Sequence, residues 1–296
     1  MSDPRVCVVG GINMDLHLRS QNGRMTPETS NPAHATLSPG GVGRNVAEAL
    51  ARWSVTTVLL GAVGDDALSD RVLEETAAAG VNVERVLRVP GVGCGLYAAL
   101  LHANGELAIA AAAMDAVDNL GREYIQDTLD TLTGSDLVVV DANLPVEAIA
   151  AVIGSAAAHG IPVVAEPVSR AKGRRLAEVA GHVLAVTPNE GEVAAFTASE
   201  AELTADWMVI TRGADGVRLM SSTGRAGYYE LSRHLPGRPV AAVDVTGAGD
   251  ALVAGFAYGL VRGCDVPRAV GLGMDAARAT VLEAGSACTA LDADDM

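Results

Sequence analysis

The stretch LVVVDANLPVEAIAAVIGSAAAHGIPVVA, residues 137–165, holds two short apolar runs with an amphipathic segment between them. The runs, residues 137–140 and 163–165, are apolar at every position, which is typical of strands that are buried on both faces. Residues 146–159 show the spacing of apolar side chains that is typical of a helix. A strand, a helix and a second strand in this order predict a parallel sheet with a helix packed on its face.

The same alternation continues on both sides of this stretch. Further strands are predicted at residues 6–9, 58–60, 183–186 and 208–210, and further helices at residues 43–53, 66–79, 120–132 and 190–196. We therefore expect an α/β fold in which a mostly parallel sheet lies between two layers of helices. Such sheets bind ligands beside the carboxyl ends of their strands, so the polar residues after each run are the first candidates for a site.

Two segments interrupt the alternation. Residues 14–37 are polar and rich in turn residues, and residues 94–112 contain two short strands around the turn Asn104-Gly105. We expect these insertions to form a small β-sheet lid over the strand ends, built from about residues 12–38 and 92–115 of a single domain that spans residues 1–296. Near the end of the chain, residues 249–261 and 266–283 are predicted to form an antiparallel helix pair.

The composition disfavours several classes of function. With 21 basic and 36 acidic residues the net charge is −15, which makes a nucleic acid polymer an unfavourable partner. Lys172 is the only lysine, so a Walker A loop is excluded and phosphate has to be bound by backbone amides, arginine or a metal ion. The basic run around it, residues 170–175, is typical of a solvated turn, and a phosphate contact is the alternative.

The cysteine and hydropathy patterns indicate a soluble protein. The cysteines are far apart and form no CxxC pair, which favours free thiols in a reducing compartment. They are Cys7, Cys94, Cys264 and Cys288. The sequence shows neither a secretory signal pattern nor an apolar run of the roughly 18 residues of a membrane span. We therefore expect a cytoplasmic protein that has no membrane partner.

The strongest motif for chemistry is Asp244-Val-Thr-Gly-Ala-Gly-Asp250, which opens a predicted helix. The amides of Gly247, Ala248 and Gly249, with the positive end of the helix, can bind an anion such as phosphate. A carboxylate beside bound phosphate is repelled unless it accepts a proton from the attacking group, so Asp250 is predicted to be a general base. A glycine turn capped by an aspartate is the alternative interpretation.

Two further strings suit recognition of a polyol. In Ser38-Pro-Gly-Gly-Val-Gly-Arg-Asn45, Gly40 and Gly41 permit close approach of a ligand to the backbone, and Asn45 offers a donor and an acceptor to vicinal hydroxyls. Asn13 and Asp15 follow the first strand two residues apart and therefore point to the same face. A strand-to-helix turn in which Asn45 is a local cap is the alternative.

Two strings after later strands suit a nucleotide. In Thr187-Pro-Asn-Glu-Gly-Glu192, Asn189 and Glu192 share a helix face and can hold hydrated Mg²⁺ and nucleotide phosphates, although alone they also fit a capping box. In Ile210-Thr-Arg-Gly-Ala-Asp-Gly216, a turn presents Thr211, Arg212 and Gly213 to a phosphate, although alone it fits an ordinary hairpin.

Taken in their order along the chain, four of these strings resemble the ribokinase-like, or PfkB, family of carbohydrate and nucleoside kinases over essentially the whole chain. The resemblance rests on the glycine pair, the N-x-x-E element, the T-x-G turn and the D-x-T-G-A-G-D string. It implies a ribokinase-like three-layer α/β/α core with a small β lid. It also implies ATP and Mg²⁺, and transfer of the γ-phosphoryl group to a primary hydroxyl.

The resemblance also implies roles for individual residues. Asp250 corresponds to the base, Gly247, Ala248 and Gly249 to the anion hole, and Glu192 to the Mg²⁺ element. The implied ATP contacts are Asn189, Thr211, Arg212, Gly213, Gly216, Gly247, Gly249 and Met274. A monovalent cation, K⁺ in this interpretation, is implied near Asp244, Thr246 and Gly285.

Within the family, the string SNPAHATLSPGGVGRNVAEAL at residues 30–50 resembles pseudouridine kinases, as do Asp141-Ala-Asn143 and Glu166-Pro-Val-Ser169. This implies phosphorylation of the ribose 5′-hydroxyl of pseudouridine. The implied ribose contacts are Asn13, Asp15, Gly40, Gly41 and Asn45, and the implied base contacts are Tyr97, Asp115 and Asn143.

Other functions stay open at this point. One is a kinase of the same family that acts on another nucleoside, such as adenosine, cytidine or uridine, or on ribose or a keto sugar. Another is a nucleotide-binding protein without catalysis. We also expect a homodimer through the lid, because open sheet edges commonly pair with a second subunit.

Overall fold

The structure is a computed structural model, and it describes residues 3–197, 201–224, 228–241, 243 and 245–282. The strands are β1 (Arg5–Val9), β2 (Asn13–Ser20), β3 (Ala33–Gly40), β4 (Thr56–Leu60), β5 (Ala62–Val63), β6 (Leu87–Arg88), β7 (Leu96–Leu101), β8 (Leu107–Ala113), β9 (Leu137–Asp141), β10 (Val163–Glu166), β11 (Gly181–Val186), β12 (Leu203–Thr211), β13 (Val217–Ser222) and β14 (Tyr229–Leu235). The helices are α1 (Val42–Arg52), α2 (Ala67–Ala78), α3 (Arg122–Asp127), α4 (Leu129–Thr133), α5 (Val146–Ala158), α6 (Arg170–Ala177), α7 (Val193–Phe196), α8 (Ala248–Val261) and α9 (Val266–Thr280), with 3₁₀ turns at Val117–Asn119 and Gly213–Asp215.

A sheet of eight strands forms the centre of the molecule, in the order β14-β13-β12-β11-β10-β9-β1-β4. The six strands from β12 to β4 in this order are parallel, and β13 and β14 add an antiparallel edge. Four of the parallel strands, β1, β4, β9 and β10, are short and almost entirely buried, whereas β11 and β12 are buried in part. The predicted α/β fold with a mostly parallel sheet is therefore confirmed.

Helices cover both faces of the central sheet and create two separate hydrophobic cores. Because successive side chains of a strand point to opposite faces, Val6 and Val8 of β1 enter one core while Cys7 and Val9 enter the other. The first core includes side chains of α1, α2, α8 and α9, and the second includes side chains of α3, α4, α5, α6 and α7. Within the described ranges, none of the helices combines the length and hydrophobicity that crossing a bilayer requires.

The two interrupting segments form a second sheet of four strands, in the order β3-β2-β7-β8. Strands β7 and β8 are antiparallel and are joined at the predicted turn, where Gly105 has the positive φ of 87° that such turns require. Strand β2 lies between β3 and β7, so the two segments combine into one surface. The carboxyl ends of the central strands face this sheet across a cavity lined by residues from both.

The helices α8 and α9 pack closely through glycine. A Cβ atom built on Gly255 of α8 would lie 2.7 Å from the Cα atom of Gly273 on α9. A Cβ atom on Gly273 would collide with the carbonyl oxygen of Leu252. This contact fixes the start of α8, which carries Asp250 in its first turn.

Two predicted helices differ from the structure. Residues 120–132 form two short helices, because the Thr128 hydroxyl bonds back to the carbonyls of Tyr124 and Ile125 and its backbone leaves helical geometry. The helix predicted at residues 190–196 is confined to α7, since Asn189 and Glu192 hydrogen-bond to each other in a turn before it.

Candidate active site

A cavity of about 190 Å³ lies where the carboxyl ends of β10 and β11 meet the start of α8. Its walls carry three carboxylates and several groups that suit hydrogen bonding to a polar ligand. The lining residues are Val42, Glu166, Val168, Thr187, Asn189, Glu192, Thr211, Gly249, Asp250, Leu252 and Val253. The structure therefore brings together residues from all four of the strings on which the family resemblance rests, with Val42 from residues 38–45.

Asp250 is the carboxylate that links this cavity to the polyol string. Its Oδ2 accepts a hydrogen bond from Nδ2 of Asn45 over 2.7 Å, although the two residues are far apart in the chain. The pKa of Asp250 is raised to about 7, chiefly by burial and also by the charges of Asp141 and Asp15, while the hydrogen bond from Asn45 opposes the shift. A carboxylate with a pKa near neutrality is suited to accept a proton from a substrate hydroxyl.

A buried ion pair orients Asn45. The guanidinium of Arg44 donates to Oδ1 of Asn45 over 2.8 Å, and the same group is paired with Glu48, which also binds Arg52. Because Oδ1 of Asn45 is engaged by this donor, its amide nitrogen is directed to Asp250. Sequence reasoning missed this role of Arg44; an arginine immediately before the asparagine, with a glutamate four residues later, was the available signal.

Glu166 and Glu192 complete an acidic cluster around the cavity. Burial raises the pKa of Glu166 to about 8, and the charges of Asp250 and Glu192 also raise it, while hydrogen bonds from Thr187 and Val168 oppose them. Glu192 is buried and holds Asn189 through two hydrogen bonds of 3.0 and 2.8 Å.

This donor set fits Mg²⁺ that is held partly by water. Carboxylate oxygens are the ligands that Mg²⁺ prefers, and the ion commonly keeps several water ligands beside one or two carboxylates. In the described part of the chain, no group of three or more acidic, histidine or cysteine side chains is close enough to form a complete metal cage. Glu166 and Glu192 can therefore contribute to such a site without enclosing the ion.

The start of α8 has the geometry of an anion site. Gly247 caps the helix in a left-handed conformation with φ of 76°, and Gly249 lines the cavity with free space where a Cβ atom would stand. The first amides of a helix lack intrahelical acceptors and carry its positive end. The amide of Ala248 points to the carbonyl of Val245 over 3.4 Å, so Gly249 is the member of the predicted anion hole that faces the cavity.

A second cavity, of about 220 Å³, separates the four-stranded sheet from the ends of β1 and β9. It is lined by Gly11, Ile12, Asn13, Gly95, Ala112, Met114, Ala116, Val117, Asp118, Asn143, Lys172 and Arg175. Two predicted substrate residues, Asn13 and Asn143, are in this wall. Asn13 donates to Oδ1 of Asp15 over 2.6 Å, as expected for side chains on one face of β2.

The predicted base contacts occupy different positions. Tyr97 lies beside Asp15 and Ala112 in the register of its sheet, so it is on the face that borders the second cavity. Asp115 is exposed and is not among the lining residues of the cavity, whereas Asp118 is. The basic run of residues 170–175 is helical instead of a turn, and its Lys172 is half-buried in this wall, whereas the arginines of the run are exposed as expected.

Asp141 is a central organiser that sequence reasoning did not assign. It is buried at the end of β9, where Oδ2 accepts the amides of Gly11 and Gly43 and Oδ1 accepts the amide of Asn143. Each of these hydrogen bonds is 2.8 Å long. One carboxylate thereby ties the loop after β1, the start of α1 and the loop after β9 together.

The glycine pair before α1 serves contacts within the chain. A Cβ atom on Gly40 would collide with the carboxylate of Asp15, and one on Gly41 would collide with the backbone of Gly11. Gly41 also has a positive φ of 101° at the cap of α1. Glycine at these positions lets β3 and α1 approach the loop that carries Asn13.

The remaining predicted nucleotide contacts are dispersed. Thr211 lines the first cavity, and Arg212 is paired with Glu190 over 2.7 Å. Gly213 begins the following 3₁₀ turn, and Gly216 caps its end. Met274 is half-buried on α9 against the first core. Of the predicted monovalent cation site, Thr246 is half-buried, while Asp244 and Gly285 lie outside the described residues.

With this geometry established, comparison with known proteins gives the family. A model described as "pfkB family carbohydrate kinase" matches residues 3–293. The chain belongs to the pfkB family. This pfkB protein therefore phosphorylates a hydroxyl of a sugar or nucleoside, which confirms the predicted class of enzyme.

Relatives of the pfkB chain include enzymes for two kinds of substrate. It is 30% identical over 272 residues to a pseudouridine kinase of Escherichia coli (strain K12), covering 87% of this chain and 84% of that protein. It is 32% identical over 287 residues to a ribokinase of Bacillus subtilis (strain 168), covering 95% and 94%. The relatives therefore do not decide between a nucleoside and a free sugar.

A solved structure confirms the fold of this pfkB protein. The structure of Arabidopsis thaliana ribokinase, complexed with ribose and ATP, superposes with a TM-score of 0.84 and covers 99% of this chain and 97% of that one. The two sequences are 22% identical. The predicted ribokinase-like α/β core with a small additional sheet is confirmed by this match.

Proposed function

We propose that this protein transfers the γ-phosphoryl group of ATP to the 5′-hydroxyl of pseudouridine. The observation that carries the proposal is the position of Asp250. It lines the cavity that is rich in carboxylates, and it accepts a hydrogen bond from Asn45, the last residue of the string that suits a polyol. In favour of ATP, the ribokinase structure that matches this chain was solved with ATP and ribose. In favour of pseudouridine, a pseudouridine kinase is 30% identical to the chain.

In this proposal the chain positions two reactants on either side of Asp250. Asn13, Asp15 and Asn45 hold the ribose hydroxyls, and the Asp250 carboxylate accepts the proton of the 5′-hydroxyl as its oxygen attacks the γ-phosphorus. The amide of Gly249 and the start of α8 stabilise the charge that develops on the transferred group. ADP leaves with the electron pair of the broken bond.

Glu192, with Asn189 beside it, and Glu166 would hold Mg²⁺ on the nucleotide side. When bound, the ion neutralises charge on the ATP phosphates. The same proposal includes a monovalent cation near Thr246, with Asp244 and Gly285 as further members of its site. It also includes a cytoplasmic location and a homodimer through the four-stranded sheet.

The experiment is a substrate panel with purified protein, ATP and Mg²⁺. We expect kcat/KM for pseudouridine to exceed that for ribose, uridine, cytidine and adenosine by at least about tenfold. A preference for free ribose would instead establish the second candidate, which the 32% identity to a ribokinase favours. Absence of ATP-dependent product with every member of the panel would contradict both.

A further inference from the structure

The wall of the second cavity is rich in hydrogen-bond donors around Lys172. Lys172 and Arg175 line it together with Asn143 and Asp118. Lys172 and Arg175 are three residues apart on α6 and therefore lie on one face of that helix. The proposed phosphoryl transfer assigns no task to either cation.

Lys172 is held in a defined position by the chain itself. Its Nζ donates a hydrogen bond to Oδ1 of Asn143, and the backbone amide of Asn143 is in turn held by buried Asp141. Burial lowers the pKa of Lys172, and the charge of Asp141 opposes that shift. An ammonium has three donors, so two remain for a ligand after the bond to Asn143.

The same bond decides what Asn143 can offer. Its Oδ1 accepts from Lys172, and its side-chain amide also hydrogen-bonds to Asp141, so one N–H of Nδ2 is left for a ligand. This part of the wall is therefore suited to a ligand with acceptor oxygens. Among the lining side chains the acidic acceptor is Asp118.

The remaining wall is apolar and suits a flat ring. Its lining includes the apolar residues Ile12, Met114 and Val117 and small residues such as Ala112 of the four-stranded sheet. A free pentose has hydroxyls on every edge and gains little from such a surface. A pyrimidine dione offers two carbonyl acceptors to the donors, ring N–H groups to Asp118, and two apolar faces.

We propose that Lys172 is a specificity-determining residue, which donates a hydrogen bond from Nζ to a ring carbonyl oxygen of the nucleobase while Asn143 holds it in place. This inference rests on the proposed function, because it needs a nucleoside substrate. The inference adds that Lys172, the single lysine of the chain, selects the nucleobase, and that the ribose contacts alone do not select it.

The test compares Lys172→Met with wild type on pseudouridine and on ribose, with Arg174→Met as the matched control. Arg174 is on the same helix, is exposed and is not among the residues that line the cavity. We expect Lys172→Met to raise KM for pseudouridine about tenfold or more, the scale of a lost hydrogen bond from a charged donor, with kcat within about threefold. The kcat/KM of Lys172→Met for ribose should stay within about twofold of wild type. Arg174→Met should leave kcat/KM unchanged for both substrates.

Three results would overturn the inference. The first is an equal loss on pseudouridine and ribose by a Lys172→Met protein whose thermal unfolding matches wild type, which would mean that Lys172 only supports the fold. The second is no loss on either substrate. The third is a wild-type preference for ribose 1-phosphate that Lys172→Met abolishes, which would assign the two cations to a phosphate.

A second variant keeps the test decisive if Lys172→Met does not fold. Lys172→Gln retains an N–H donor on a shorter side chain, so we expect it to retain part of the preference for pseudouridine over ribose. The wild-type panel alone tests the proposed function, whereas the ratio of variant to wild type tests Lys172. If wild type phosphorylates no nucleoside, calorimetric titration of pseudouridine into both proteins decides: weaker binding to the variant supports the inference, and equal or absent binding overturns it.

Discussion

At the scale of the residue, Asp250 is balanced between neighbours that oppose each other. Its burial and the nearby charges of Asp141 and Asp15 favour the protonated acid, whereas the hydrogen bond from Asn45 favours the carboxylate. This balance gives a base that is ionised in part at neutral pH. It also makes the behaviour of the site sensitive to single substitutions.

Replacing Asp250 by Asn removes the proton acceptor while keeping the size of the side chain. We expect kcat to fall by about 10²–10⁴-fold, the usual contribution of a positioned general base, with a small change in nucleoside affinity. Steady-state kinetics and calorimetric titration measure the two quantities. Asp265→Asn is the control, because Asp265 caps α9 and asparagine caps helices equally well; a kcat for Asp250→Asn near that of the control would exclude Asp250 as the base.

The pH dependence tests the pKa of the same group. Because the base must be ionised, kcat/KM should rise with pH through about 7, the pKa of Asp250. Asn45→Ala removes a donor that stabilises the carboxylate, so the midpoint of the pH profile should move to higher pH. Asn82→Ala, at the bridge beside Val58 of β4, should leave the midpoint in place. A midpoint for Asn45→Ala that is unchanged or lower would contradict this account.

At the scale of the element, the contact between α8 and α9 determines where Asp250 lies. Gly273 is in contact with α8, whereas a Cβ atom on Gly271, two residues earlier in α9, would meet only open space. We therefore expect Gly273→Ala to lower the free energy of unfolding by about 1–3 kcal/mol through overpacking. Gly271→Ala should raise it by up to about 1 kcal/mol, because alanine favours the helix.

Denaturant unfolding of both variants measures this difference, and the two substitutions are matched in chemistry and in helix. Gly273→Ala should also lower kcat, since a shift of α8 moves Asp250 and the amide of Gly249. Equal stability of the two variants would show that the glycine contact does not constrain the helix pair.

The elements also show which features can be read from the sequence. Apolar runs such as residues 137–140 predict buried strands well, because burial on both faces leaves no alternative for the side chains. Helix ends and breaks are harder to predict, since they depend on single hydrogen bonds such as that of the Thr128 hydroxyl. Of the site, the motif residues were evident, whereas Lys172 could be placed only once the orientation of α6 relative to Asn143 was known.

At the scale of the whole molecule, the acidic cluster links stability to pH and to divalent cations. Asp250 and Glu166 have pKa values of about 7 and about 8 in the fold, above the ordinary values of 3.8 and 4.5. Between pH 4 and pH 8 the folded protein therefore keeps protons that the unfolded chain releases. These two groups make the free energy of unfolding fall as pH rises through this window.

Chemical unfolding at several pH values measures this dependence. The free energy of unfolding of Glu166→Gln should decrease less steeply between pH 5 and pH 8 than that of wild type. The difference in slope should correspond to at most about one proton, because the amide does not titrate. Mg²⁺ should stabilise wild type more at pH 8 than at pH 6, since it binds the ionised carboxylates. An equal slope for variant and wild type would show that Glu166 is ionised in the fold at neutral pH.

The position of the single lysine has a consequence for chemical labelling. Since burial lowers the pKa of Lys172, a larger share of its side chain is the neutral, nucleophilic amine than for an ordinary exposed lysine. An amine-reactive fluorophore can modify only this lysine side chain, and it would stand in the wall of the second cavity. A lysine-specific protease likewise has one cleavage point, inside α6, so its rate of cutting would report how often that helix opens.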